Sequence, residues 1–441
     1  MGGFLKRFHS RIQNAKGKRM TLRSNEGLGK LCEDNEGKIA FLRFNRHGLS
    51  HGPLSDWDIA VRNPTAMVRS CEKLLGKPWL RIPRRYVVQQ FFSWGQVDFL
   101  PCFEWNGVEY LDSRDFWESV ATDDDDIPRP ALGHDAFVAW MTGLLWGGTF
   151  DNRYRDFVRA GAVEDRTVFI KALTSAFGQS MGVRLFEMAA AGRAEEATRL
   201  TSQLRSLLRR RRYLSRPLKT LGSVASHWFC EMALHLKTPY PWIGILGPDG
   251  SGKSSVIEGL EDKLKLSRLK IHSVHWAPQF KKNAEVSSMV VIDPHGRPPK
   301  SVVPSILQLG KIVMVWWVGI IRDFIHLRAK QAMVLSDRFY LDLLADPKRY
   351  RYGASTGLAK LAFCLIPKPD CVFVLHTDAQ TILNRKQEVE PDELERQLQA
   401  YEDIAERWGK KALLVDCGME LDRVVATVLA RVVSCLEKRS R

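Results

Sequence analysis

The sequence predicts an α/β protein: a parallel sheet flanked by helices in the C-terminal half, preceded by an α+β head and a helical middle. Three observations carry this. From Thr238 onward, short apolar runs alternate with helical stretches, the order that places helices on both faces of a parallel sheet. From about Gly37 to Asp112, β-like runs follow one another at strand length. From Ala131 to about His235, apolar residues recur at three and four, the helical period. We divide the chain into residues 1–125, 126–237 and 238–441.

In the head, "KIAFLRF", "WDIAVR", "RYVVQQFF", "QVDFLPCFEW" and "VEYLD" read as strands. Asp56 and Asp58 stand two apart in "PLSDWDIAV", so strand alternation puts both on one face. Asp98 in "GQVDFLP" adds a carboxylate from another strand. Three such carboxylates can hold Mg²⁺ for nucleotidyl transfer. The competing readings are a retained fold with lost or altered catalysis and a plain solvent-facing pair of aspartates. "ATDDDDIPRP" reads as an acidic, proline-broken linker. Beyond it, "HDAFVAWMTGLLWGG" and "RLFEMAAAGRAEEATRLTSQLRSLL" carry the helical repeat.

In the C-terminal half, "WIGILG", "IHSVHW", "AMVLSD", "CVFVLH" and "ALLVDC" are the strand candidates. The first runs into "GPDGSGKSS", where Gly247, Gly252, Lys253 and Ser254 match G-x-x-x-x-G-K-[ST]. Gly247, Gly250 and Gly252 let the backbone curl so that its N–H groups face an anion. Asp249, Ser251 and Ser255 complete the loop. Val256, Ile257, Leu260 and Leu264 then fall on one helical face, whose N-terminus favours phosphate. Lys253 is expected on the outer phosphates of ATP, and Ser254 on Mg²⁺.

"VLSDRFYLD" places Asp337 and Arg338 at a strand's C-terminal end, where open α/β sheets bind ligands. Asp337 can hold Mg²⁺ or orient an attacking oxygen, and Arg338 can fork a phosphate. A structural Asp–Arg pair is the alternative. In "DPKRYRYG", an extended backbone would put Arg349 and Arg351 on one side and Tyr350 and Tyr352 on the other. That arrangement suits an anionic acceptor; a solvated basic loop is the alternative. Arg385 and Lys386 open a polar segment that reads either as a mobile lid or as a solvated helical face.

"GPDGSGKSS", "SDRFY", "PKPDCVFVLHTD" and "RKQE", in that order, resemble the thymidylate kinase-like branch of P-loop kinases from about Pro241 onward. The resemblance implies a nucleoside-monophosphate-kinase-like fold, ATP and Mg²⁺ as cofactors, Asp249 and Arg338 on the acceptor side, and Arg385 in the lid. The Arg-Glu-Pro-Gly segment of orthodox relatives is replaced by "HWAPQFKKNAE", and the thymine-holding segment by "FYLDLLADPKRYRYG". The variant pattern is similar to kinase-like proteins associated with bacterial surface-polysaccharide and lipopolysaccharide synthesis. The head is similar to the nucleotidyltransferase fold, without that family's Gly-Ser or Gly-Gly turn upstream of Asp56.

The net charge of +16 suits nucleic acid, acidic lipid or phosphorylated substrates. Basic segments open the chain and span Arg205–Lys219; they read as solvated faces or as docking sites for an anionic surface. Ile312–Ile321 is the most apolar stretch and reads as a buried helix too short to span a bilayer. An interfacial anchor there is the secondary reading. Eight scattered cysteines without a C-x-x-C pair suggest a reducing compartment. The expectation is a cytoplasmic protein, with contact at the inner membrane face and a homodimer both left open. No sequence-specific nucleic acid is expected as a partner. The favoured function is ATP-dependent transfer to an anionic small molecule or glycan precursor. The rivals are a thymidylate kinase and a non-catalytic ATP-binding scaffold.

Overall fold

The computed structural model describes residues 35, 37–43, 57–93, 95–122, 127–265, 267–275, 298–330, 332–385 and 390–439. Asp56, Gly48, Gly52, Lys386, the opening basic segment and most of "HWAPQFKKNAE" lie outside them. The described chain folds as two compact units that part between Ala233 and Leu234. The boundary expected at residue 125 falls inside the first unit.

The first unit begins with a sheet. Its strands are β1 (Ile39–Phe41), β2 (Trp57–Val61), β3 (Leu80–Pro83), β4 (Val88–Phe92) and β5 (Gly95–Leu100), in the order β1-β2-β5-β4-β3. Helix α1 (Pro64–Leu75) lies between β2 and β3, in a region read from sequence as dominated by strands. Its apolar face of Met67, Val68, Cys71 and Leu75 joins Trp57, Ile59, Val97 and Phe99 in one core. The intervening strand residues point to the other face, where Ala40, Leu42 and Ala60 join the core of the helical layer. "QVDFLPCFEW", read as one strand, is two: Pro101 follows β5, and β6 (Phe103–Trp105) pairs with β7 (Val108–Leu111).

Helix α2 (Ser113–Glu118) follows, then β8 (Ala121–Thr122) and β9 (Pro128–Arg129), which pair across the acidic "linker". The helical layer comprises α3 (Leu132–Thr142), α4 (Arg155–Glu164), α5 (Arg166–Phe177), α6 (Gln179–Ala190) and α7 (Thr201–Ser215). Helix α8 (Pro217–Lys237) runs across the division between the units. The β6–β7 hairpin presses against α8 at Gly107, where φ is +82° and a Cβ would lie 2.6 Å from the Val224 Cα. The basic run is largely used internally. Arg205 donates to the Leu145 carbonyl, Arg212 to that of Glu109, and Arg216 to the Asp112 carboxylate. Arg209 sits over the Trp105 ring.

The second unit is a five-stranded parallel sheet: β10 (Trp242–Leu246), β11 (Ile271–His275), β12 (Met333–Asp337), β13 (Cys371–His376) and β14 (Ala412–Asp416). The order is β11-β12-β10-β13-β14, so the first strand is central. All five strands stand where the sequence placed them. The flanking helices are α9 (Lys253–Lys265), α10 (Val302–Gly319), α11 (Ile325–Lys330), α12 (Leu341–Ala345), α13 (Thr356–Cys364), α14 (Ala379–Arg385), α15 (Pro391–Trp408) and α16 (Leu421–Arg439). Trp242 anchors the core. It stacks on Trp316, meets Phe324 and Phe339 edge-on, and donates its indole N–H to Ser336 Oγ at 2.8 Å. Cys371 and Cys417 are buried free thiols, as expected.

Ile312–Ile321 departs from its expectation. It belongs to a helical run from Val302 to Ala329, 28 residues, long and apolar enough to cross a membrane by length and composition. A π-helical turn at Ile320–Phe324 joins α10 to α11. Trp316 is fully buried, but Trp317 is 45% exposed. The helix therefore has one packed face, where a buried helix was the first expectation and an interfacial anchor the second.

Candidate phosphate-binding site

The site forms where the central strand ends. Strand β10 is buried along its whole length between β12 and β13. The chain leaves it through Gly247, Gly250 and Gly252, all with positive φ (147°, 84° and 91°). A Cβ on Gly247 would lie 2.7 Å from the Leu375 carbonyl oxygen and 2.8 Å from Ser251 Oγ, so no side chain fits. Helix α9 starts at Lys253 and buries Val256, Leu260 and Leu264. Its unpaired N-terminal amides and dipole thus face the loop. Ser254 and Ser255 are exposed on its first turn. Ser251 is fully buried, and its hydroxyl has no hydrogen-bond partner.

Lys253 is buried, and its ammonium donates to the carbonyls of Gly247 (2.9 Å) and Pro248 (2.8 Å). Asp249 Oδ1 lies 3.7 Å away. Burial, helped by the Arg338 charge, pushes the Lys253 ammonium down to about 8. Asp249 itself accepts from Arg338 and Arg349. Its burial opposes ionisation, yet Arg338, Lys253 and Arg349 hold its carboxyl well below the usual range.

Asp337 ends β12, opposite Ile245 of β10 and His275 of β11. Its Oδ2 lies 3.1 Å from His275 Nδ1, while its buried Oδ1 has no partner. Burial works to raise its pKa, but the His275 hydrogen bond and Lys253 hold the carboxyl low. Arg338 follows in a left-handed conformation, φ +72°, and donates its backbone N–H to the Ile245 carbonyl. Its buried guanidinium joins Asp249 to Asp342. Asp342 is fully buried and also accepts the hydroxyls of Tyr350 (2.9 Å) and Tyr401. Burial first, and the Asp342 charge second, raise the pKa values of both tyrosines.

The expectation for "DPKRYRYG" is corrected in part. The segment is a turn, not a strand, so the side chains do not alternate. Arg349 reaches Asp249, whereas Arg351 turns away to the Pro298 carbonyl. Tyr352 is buried in the core and donates to the Ser355 carbonyl; it does not face an acceptor. Arg385 is exposed at the end of α14. Sequence reasoning gave no role to His275, Asp342 or Tyr401. Only Asp342 left a signal, four residues after Arg338, the spacing of a helical ion pair.

In the first unit, Asp58 and Asp98 are register partners on the parallel strands β2 and β5. Asp58 is ion-paired with Arg43. Asp98 accepts from Gln96 Nε2 at 2.7 Å and more distantly from Gln89. Among the described residues, no group of three His, Cys, Asp or Glu could hold a metal ion. Asp56 lies outside that set.

No family model and no curated protein matches the chain. A solved structure of thymidylate kinase from Ehrlichia chaffeensis is similar to it, with 17% identity, 43% of this chain and 97% of that chain covered, and a TM-score of 0.33.

Proposed function

We propose that the C-terminal unit is an ATP-dependent phosphotransferase acting on a small anionic acceptor. The observation that supports this best is Lys253. It lies at the start of α9, beyond a loop that admits no side chain at Gly247, with its ammonium on the loop's own carbonyls. A lysine so placed exchanges backbone carbonyls for phosphate oxygens when a nucleotide enters.

The surrounding groups suit phosphoryl transfer. The loop amides and the α9 N-terminus receive the phosphates. Mg²⁺ fits the donor set: Asp337 Oδ1 is buried without a partner, and Ser254 stands exposed on the first turn of α9. When bound, the ion would neutralise charge on the transferred phosphoryl group. Arg338 and Arg349 are held side by side by Asp249, so two guanidinium groups face the same region. They would bind the acceptor's charge and orient it. Arg385, exposed on α14, is free to close over the nucleotide.

The first unit we read as a nucleotidyltransferase-like fold whose described carboxylates are occupied by Arg43 and Gln96. We assign it no chemistry.

The test is a transfer assay with radiolabelled ATP and a panel of sugar phosphates and nucleoside monophosphates. Transfer to one acceptor, lost in Lys253→Ala, is the expected result. Preference for thymidylate would make the protein a nucleotide kinase. ATP binding without transfer to any acceptor would make it a scaffold and overturn the reading.

A further inference from the structure

The helical run Val302–Ala329 has two faces of different fate. Leu309, Ile312, Trp316, Ile320 and Phe324 are buried in the core around Trp242. Val303, Leu307, Met314, Trp317 and Ile321 form a stripe at spacings of three, four and seven, and all are exposed, Leu307 by 70% and Ile321 by 62%. The stripe continues sideways onto α13. Trp317 donates its indole N–H to the Leu365 carbonyl at 2.8 Å, and Leu358, Leu361 and Leu365 are themselves exposed. An apolar patch of this extent on a monomer marks an interaction surface.

Charge identifies the partner. Lys311 stands within the stripe, one turn from Leu307 and from Met314, and is exposed. Lys360 lies beside Leu361 on α13, also exposed. Arg322 closes the stripe but is ion-paired with Asp323, so the two lysines supply the net charge. Apolar side chains and a tryptophan flanked by exposed lysines are the composition of a helix lying in a lipid interface. We propose that this face docks flat on an anionic lipid surface, with the helix axis in the plane of the membrane.

Two alternatives fit the geometry less well. Crossing the bilayer would strip Trp316 and Phe324 from the core that buries them. Docking on a second copy about a two-fold axis would bring Lys311, near the middle of the stripe, against its own mate. An anionic surface meets neither objection, and each lysine near it adds about fivefold to binding at low salt.

The experiment is flotation of the full-length protein with vesicles of phosphatidylcholine alone or mixed with phosphatidylglycerol. The protein should float with the mixed vesicles, poorly with phosphatidylcholine alone, and less as salt is raised. Lys311→Gln with Lys360→Gln should weaken binding roughly twenty-fivefold, the product of two such losses. Met314→Asp with Ile321→Asp should abolish it. Both double variants change exposed side chains, so their melting temperatures should match the parent's, which separates lost docking from lost folding. Equal flotation with both vesicle types, or none with either, overturns the proposal. So does a dimer in light scattering that Met314→Asp dissolves, because the face then serves a second copy.

Discussion

Lys253 is a cation held in a place that disfavours charge. Its ammonium titrates at about 8 in the folded protein, against 10.5 when free. Between those values the unfolded chain carries the extra proton, so stability should rise with pH across that window. Nucleotide affinity should run the other way, because phosphate needs the charged form. We expect ATP to bind more weakly above about pH 8, by about tenfold per unit. Calorimetric titration across this range checks it, and Lys253→Arg should flatten the profile. An ATP affinity indifferent to pH in the parent would refute the assignment. Gly247→Ala should abolish ATP binding outright, through contact with the Leu375 carbonyl. Asp342 carries a different burden. Replacing it with alanine leaves Arg338 buried with Asp249 as its remaining carboxylate partner, and should cost about 3–5 kcal/mol in denaturant unfolding. The glycine-lysine loop was legible because its chemistry is contiguous in sequence. The Arg338–Asp342–Tyr401 network was not, since Tyr401 lies 59 residues from Asp342 and only the folded chain brings them together.

Among the elements, α10 shows how one helix can divide its residues between unlike solvents. Trp316→Ala should cost about 3–5 kcal/mol, for it empties a fully buried site against Trp242. Its neighbour Trp317→Ala should change stability far less, since the ring is 45% exposed. Denaturant midpoints of the two variants test the contrast, and equal losses would contradict the packing. The inner strands β10, β12 and β13 were readable because parallel strands buried on both faces are continuously apolar; the half-exposed edge strands β11 and β14 were placed by their alternation with helices. Helix α1 was overlooked amid strand-like neighbours, although its signals stand in the sequence. Asn63 caps the Ala66 amide, Pro64 opens the helix, and Met67, Val68, Cys71 and Leu75 keep the helical period. The exposed face of α10 was hidden for the opposite reason. A helix apolar on both faces gives no contrast from which to tell which face is covered.

For the whole molecule, each unit has its own sheet and its own core. Unfolding should therefore not follow a single two-state transition. A ligand stabilises only what it binds in the folded form. Adding ATP and Mg²⁺ during scanning calorimetry should thus raise the transition of the C-terminal unit and leave the other in place. Lys253→Ala should remove that response. A uniform rise of all the heat absorption would show that the units unfold together.

The strand order has a consequence for how the chain is made. Strand β10 is synthesised first among the C-terminal strands, yet it is the one that both inner neighbours must flank. Its partner β13 is completed about 130 residues later, which at about 5–20 residues per second means roughly 6–26 s on the ribosome. Trp242–Leu246 has both edges open until β12 emerges and keeps one open until β13 follows, the kind of apolar segment that pairs with the wrong chain. Slowed translation between β10 and β13 should therefore lower the soluble yield more than slowing beyond β14. The last neighbour to reach the phosphate loop would then be Leu375, whose carbonyl closes on Gly247, so the nascent loop is packed only as its sheet closes.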